Sequence, residues 1–163
     1  MDDLVRRVYV DFHGNPVRYD TSIPVTWRLG AYALAVRDGN VLMVEGELTD
    51  RWEVPGGAVE VHELLVEGAA RECREETGYR FIATSPAPIH VGEQFVGWEL
   101  NPTVYHHAVA VVFEGVVEED ADSSWSPDPN EIRRVHWVDP AELTTENTHP
   151  KDWPALQKAG LVR

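Results

Sequence analysis

The stretch GAVEVHELLVEGAARECREETGY, residues 57–79, constrains the architecture of this chain more than any other part of it. Between about residues 62 and 77 its apolar and small residues recur with helical spacing. Val66, Ala69, Ala70, Cys73 and Thr77 stand at i, i+3, i+4, i+7 and i+11. On a helix that advances ~100° per residue they form one stripe, which has to be covered by another element. Gly78 follows at once, where a left-handed C-terminal cap is expected. Pro55-Gly56-Gly57 demands a sharp turn just before the segment.

The remaining pattern supplies strands for that helix to lie on. Residues 8–19 read as a small hairpin turning at His13-Gly14-Asn15-Pro16. Residues 29–36 and 41–45 are apolar runs around Asp38-Gly39, a hairpin signal. Short strands are expected at 52–54 and 132–138, and longer ones at 79–91 and 103–117. Residues 118–130 are acidic and rich in Ser and Pro, the composition of a mobile loop. Asp139-Pro140 has the N-cap and first-turn residues of a short helix, and a last helix is expected over 153–159. There is no repeat and no linker. The expectation is one α+β domain over residues 1–163, a mixed sheet sandwiched by helices.

Charge narrows the function classes. Fourteen basic against 28 acidic residues give a formal net charge of −14. Such a surface repels phosphate backbones, so no nucleic acid polymer is expected as partner. A small phosphorylated ligand stays open, because divalent cations can invert a local field. The N-terminus lacks the apolar core of a secretion signal, no apolar run reaches membrane-spanning length, and Cys73 is the only cysteine. These features suit a cytoplasmic protein with no membrane partner.

The carboxylates of the helix carry the chemistry. Relative to Val66, the residues Glu75, Glu72 and Glu76 project at ~180°, ~240° and ~280°, on a face turned from the apolar stripe. Like charges at this spacing repel. A solvated acidic face is one reading. The other is a cation site: the preceding glycine turn can bring carbonyl oxygens to the same place, and hard oxygen ligands suit Mg²⁺ or Mn²⁺ bound to substrate phosphates. Arg71 stands beside the cluster, able to fix a glutamate through a bidentate pair.

The segment resembles the Nudix box, Gly-x5-Glu-x7-Arg-Glu-U-x-Glu-Glu-x-Gly-U, where U is a bulky aliphatic residue. Gly57, Glu63, Arg71, Glu72, Glu75, Glu76 and Gly78 match every fixed position. Cys73 and Tyr79 replace aliphatic residues, and the lead-in Trp-Glu-Val-Pro-Gly-Gly also looks like the family's. The resemblance implies a Nudix-type α/β/α sandwich with residues 1–22 as an N-terminal hairpin extension. It implies a Mg²⁺- or Mn²⁺-dependent pyrophosphohydrolase acting on a nucleoside diphosphate linked to another moiety, or on a nucleoside triphosphate. Glu72, Glu75, Glu76 and the Gly57 carbonyl would hold metal, with Glu63 and Arg71 orienting the helix. Glu72 or Glu131 would take the proton of the attacking water. Arg28, Arg51, Phe95 and Trp98 are candidate substrate contacts, and Glu93 and Gln94 stand where relatives acting on ADP-ribose tend to carry a proline. A catalytically silent nucleotide-binding or sensor domain is the alternative. The apolar side of the N-terminal hairpin is expected to pack on its own domain or to form a homodimer.

Overall fold

The computed structural model describes residues 8–11, 13–97, 103–118 and 124–163. In chain order the elements are β1 (Tyr9–Val10), β2 (Pro16–Val17), β3 (Val25–Arg37), β4 (Asn40–Gly46), β5 (Trp52–Glu53), β6 (Gly56–Ala58) and α1 (Leu65–Thr77). They continue with β7 (Phe81–Ala83), β8 (His90–Val96), β9 (Tyr105–Val117), β10 (Ile132–Val138) and α2 (Trp153–Lys158).

The strands run β10-β4-β3-β9-β8-β1-β2, with β5 on β4, β6 on β3 and β7 on β9. β3 pairs parallel with β9 and β1 parallel with β8, while the other pairs are antiparallel. The β3–β4 hairpin matters most for function. Its strands pair only beside the turn, Val36 with Val41 and Arg37 with Asn40. The turn uses Asp38 and Gly39 at φ 50° and 82°, the left-handed pair that tight hairpins require. Beyond it the strands part. β3 takes β6 as its neighbour, and β4 continues with β5 and β10. The divergence splits the sheet and leaves a gap between its halves.

Helix α1 covers one face. Ala69 and Cys73 are fully buried against Ala31, Ala33, Ala35, Leu42, Val111 and Phe113. The alanines of β3 let the helix approach closely, and Val66 and Ala70 flank the contact half-buried. Burial pushes the Cys73 thiol up to about 11, as befits a packed side chain. Gly78 caps the helix at φ 76°, donating its N–H to the Arg74 carbonyl at 2.9 Å. On the other face α2 buries Ala155 and Leu156 against Leu34, Met43, Val54, Val112 and Val138. Fully burying a leucine or valine side chain contributes ~1.5–3 kcal/mol, so each layer is held largely by its apolar contacts. The result is an α/β/α sandwich.

Several expectations shift. The helix begins at Leu65 rather than residue 62, because Glu63 is drawn out of the helical path toward Arg71 and the Glu60 amide. Residues 55–57 turn as expected, but Gly56 and Gly57 also pair with Tyr32 and Ala31 as part of β6. The single strand expected at 79–91 divides into β7 and β8 around Pro86 and Pro88, which cannot donate to a ladder. Asp139-Pro140 opens one 3-10 turn, Pro140–Glu142, with Asp139 capping the Ala141 amide. The N-terminal hairpin packs on its own domain: Tyr9, 2% exposed, stacks on Tyr19 and meets Tyr105 with ring centres 4.5 Å apart in each case. No helix among the described residues is long and apolar enough to cross a membrane.

Candidate active site

A cleft of about 390 Å³ occupies the gap where β3 and β4 part. Its floor is the sheet surface carrying Arg28, Tyr32, Ala108, Ala110 and Gln94. One wall is Glu72 and Glu76 with the backbone of Gly56, Gly57 and Ala58, and the facing wall includes Leu48, Thr49, Asn130 and Glu131. Glu53, His149 and Lys151 complete the lining.

The three box glutamates do not share one environment, although helical angles put them on a single face. Glu76 tilts under the edge of the sheet, where its Oε2 accepts the Gly56 N–H at 2.8 Å. Burial pushes its carboxyl up to about 8. Glu72 is 16% exposed and accepts from Arg71 Nη1 at 2.9 Å. Burial raises its pKa and the nearby Glu75 and Glu131 add to the rise, against the pull of Arg71. Glu75, 59% exposed, lies on the rim and shares the same Nη1 at 3.0 Å. Helix α1 therefore turns Glu72 and Glu76 inward because its buried stripe rests on β3, directly beside the β6 strand.

Arg71 organises this wall. It donates to Glu63 through Nε and Nη2 at 3.1 and 2.7 Å, a bidentate pair, and through Nη2 to the Ala58 carbonyl at 2.8 Å. Its hydrogen bonds hold the Glu63 carboxyl at about 2. The guanidinium thus ties α1, the 58–63 loop and two of the glutamates into one unit. Gly57 has a direct role in the fit. A Cβ there would lie 2.6 Å from Glu72 Cδ and Oε2, closer than real side chains approach.

A second charged group lies at the end of the cleft. Ligand atoms of Glu53, His149 and Asp152 fall within 4.8 Å of one another, close enough for a cation. A cation of the protein's own is already there: Lys151 Nζ donates to Glu53 Oε2 at 2.9 Å and to Asp152 Oδ2 at 2.8 Å, 4.7 Å from the Tyr32 ring centre. Burial acts to raise the Glu53 carboxyl, but Lys151 and His149 outweigh it and hold it at about 2. Asp152, 1% exposed and with no hydrogen-bond partner on Oδ1, is pushed by burial up to about 6. One ammonium cannot fully compensate two buried carboxylates, and the better-solvated Glu53 keeps the charge. Asp152 Oδ2 also accepts the Val54 N–H, while His149 N–H donates to the Trp52 carbonyl, so residues 147–152 are laced onto β5.

The structure brings together Gly57, Glu72, Glu76, Glu131 and Arg28, all lining the cleft, with Glu63 and Arg71 behind the wall. Glu131 stands opposite the helix, its carbonyl accepting the Glu47 N–H at 2.9 Å. Two expected substrate contacts are misplaced. Arg51 lies off the cleft in the β4–β5 turn, where its carbonyl accepts the Gly46 N–H. Phe95 points to the opposite side of the sheet from Gln94 and packs on His107 and Tyr9, with ring centres 4.4 and 5.4 Å away. Alternation along a strand forces that separation. Trp98 lies outside the described residues. Sequence reasoning missed Glu53, Lys151, Asp152 and Tyr32 as cleft residues, and named Gln94 only as standing where some relatives carry a proline; His149-Pro150-Lys151-Asp152 has the composition of an ordinary surface turn.

A model of the NUDIX domain matches residues 26–159. The chain is 30% identical over 115 residues to the human protein named m7GpppN-mRNA hydrolase NUDT17, an alignment covering 66% of the chain and 34% of that relative. The chain thus spans about a third of the length of this relative. Among solved structures, a MutT NUDIX hydrolase from Burkholderia pseudomallei superimposes with TM-score 0.63 at 23% identity, covering 82% of this chain and 98% of that one. A NUDIX hydrolase from Nitrosomonas europaea does so with TM-score 0.66 at 20% identity, covering 83% and 89%. These likenesses carry the fold, the domain match spans most of the chain, and Gly57, Glu72 and Glu76 of the box line the cleft: the chain belongs to the Nudix family.

Proposed function

We propose that this chain is a Mg²⁺-dependent pyrophosphohydrolase that cleaves a phosphoanhydride bond in a nucleoside diphosphate linked to a second group, or in a nucleoside triphosphate. The observation that carries this reading is the convergence of Glu72, Glu76 and the Gly57 backbone on one wall of a cleft able to hold a small ligand.

The donor set fits a hard divalent cation. Two carboxyls whose pKa values burial raises, with neighbouring carboxylates adding to the rise, are the groups that a cation at this wall would relieve. Glu72, Glu76 and the Gly57 carbonyl would hold it, with Glu75 joining from the rim, because Glu75 and Glu72 share Arg71 Nη1. A bound Mg²⁺ supplies charge neutralisation on the phosphate oxygens and polarises the bond under attack.

The protein's own residues do the rest. Arg71, itself held by Glu63, fixes Glu72, and the Gly56 N–H fixes Glu76, so little reorganisation is needed when charge develops. Glu131, on the wall opposite, takes the proton of the attacking water, since Glu72 is committed to Arg71 and the cation site. Lys151 is clamped by Glu53 and Asp152 and acts as an internal counter-ion, not as a phosphate ligand. The human relative's name refers to capped mRNA. The net charge of −14 favours a small nucleotide here.

The test is hydrolysis of a panel of nucleoside diphosphate-X compounds and nucleoside triphosphates with and without Mg²⁺, products identified by mass spectrometry. Turnover that requires the cation and collapses in Glu72→Gln and Glu76→Gln is expected. Nucleotide binding without turnover in the wild-type protein would replace this reading with the silent binding domain.

A further inference from the structure

The cleft floor is built unlike the rest of the sheet. Across four neighbouring strands the register aligns Ala58, Gly30, Ala110 and Gly92, a row without a large side chain. The adjoining row aligns Arg28, Ala108 and Gln94. Two rings fold back over the glycines: a Cβ on Gly30 would lie 2.9 Å from Tyr32 Oη, and one on Gly92 would lie 2.9 Å from His90 Nε2. The middle strand keeps only the methyl groups of Ala108 and Ala110. A trough therefore runs along β9, apolar underneath, with Tyr32 and Arg28 on one side and Gln94 on the other.

Gln94 is the informative residue. It lines the cleft, and its carboxamide has no hydrogen-bond partner among the described residues. A carboxamide presents an acceptor and a donor side by side, the complement of a nucleobase edge and a poor match for a phosphate, which only accepts. Gln94 on β8 is three strand spacings, ~14 Å, across the sheet from β6, which carries Gly57, and its row lies three residues, ~10 Å, further along, a separation of ~17 Å. That is comparable to the reach of an extended nucleoside diphosphate. A phosphate at the Gly57 wall would thus leave its base over the two alanines.

We propose that the base of the substrate lies on Ala108 and Ala110, and that the Gln94 carboxamide reads its hydrogen-bonding edge opposite Arg28. This rests on the nucleotide hydrolase reading and extends it: recognition is of the nucleoside half, not of the diphosphate alone. A floor of methyls accepts a flat ring, and the polar group at its margin selects which ring, the arrangement expected of a small-ligand pocket.

The experiment compares the wild-type chain with Gln94→Ala and Gln94→Glu. For each, kcat/KM is measured on the four nucleoside triphosphates and on inorganic tripolyphosphate, a substrate without a base. The wild type is expected to rank the bases and to prefer its best nucleotide to tripolyphosphate by at least about tenfold. Gln94→Ala is expected to lose about tenfold on that nucleotide, flatten the ranking, and lose less on tripolyphosphate than on the nucleotide. Gln94→Glu, of equal size but without the donor, is expected to reorder the bases. An unchanged ranking in both variants, or wild-type turnover indifferent to the base, overturns the proposal. If the wild type cleaves neither these compounds nor the nucleoside diphosphate-X panel, the hydrolase reading fails separately. Calorimetric binding of the four nucleoside monophosphates then decides the role of Gln94: weakened binding in Gln94→Ala sustains it, and equal or absent binding ends it.

Discussion

Gly57→Ala offers the sharpest test of the cleft wall. Gly57 does not occupy the left-handed region, so an alanine carries no backbone penalty there. Its only cost is steric: the new Cβ would sit 2.6 Å from Glu72 Cδ, whereas carbons in contact prefer ~3.5–4.0 Å. The carboxylate has to retreat by about 1 Å. The retreat is resisted, because Glu72 is held by Arg71 Nη1 at 2.9 Å and Arg71 is itself anchored to Glu63 and Ala58. The displaced group is the far end of a side chain, so the fold should lose only ~1 kcal/mol, the mild end of overpacking. In a protein of this size that lowers the unfolding midpoint by ~2–4 °C. A misplacement of ~1 Å at the reacting centre, by contrast, costs about a hundredfold in rate. The expected signature is a large fall in kcat/KM with a small fall in melting temperature, read by steady-state kinetics and calorimetry. Adding Glu72→Asp shortens the crowded side chain by one methylene and should recover part of the loss, a non-additive result that distant sites would not give. Activity within threefold of wild type in the single variant, or simple additivity in the double, would refute the steric argument.

Other expectations follow from the same geometry. Glu76 at about 8 and Asp152 at about 6 both lie above their unfolded values, so their contribution to stability is full near pH 4 and disappears as pH rises through 6 and 8. The metal-free protein should melt higher at pH 5.5 than at pH 8.5, and Glu76→Gln should flatten the upper part of that slope; a slope unchanged by the substitution would contradict the assignment. Lys151→Met leaves Glu53 and Asp152 buried without their counter-ion and should cost ~3–5 kcal/mol in denaturant unfolding, partly restored by adding Asp152→Asn. Leu156→Ala should cost ~2–5 kcal/mol by emptying the contact of α2 with the sheet, and a loss under ~1 kcal/mol would mean that α2 is loosely attached. Glu75→Gln should reduce kcat less than Glu72→Gln or Glu76→Gln, because Glu75 stands on the rim; equal losses would place all three at the same depth.

What was legible in the sequence was what short range determines. The α1 stripe, the Gly78 cap, the Asp38-Gly39 turn and the 132–138 strand each depend on residues a few positions apart, and the structure has them all. The face of a helix could be read, but not how the helix would tilt on its sheet. Glu72, Glu75 and Glu76 looked equivalent by angle, and the alanine surface of β3 turns two of them inward and leaves the third on the rim. Phe95 and Gln94 are neighbours with opposite fates, and which of them meets the cleft depends on a strand register that pairs Gln94 with Ala108. The Glu53–Lys151 contact joins positions 98 residues apart. Glu53 falls in the lead-in to the box, but nothing local marks Lys151 as its partner, and only the closing of residues 147–152 onto β5 brings them together. That closure has a consequence for the chemistry. Trp52 to Gly57 leads directly into the glutamate wall, so the buried pair that pins its start also limits how far Gly56 and Gly57 can shift. A site that must hold several like charges close together needs such rigidity from outside itself, because its own carboxylates repel.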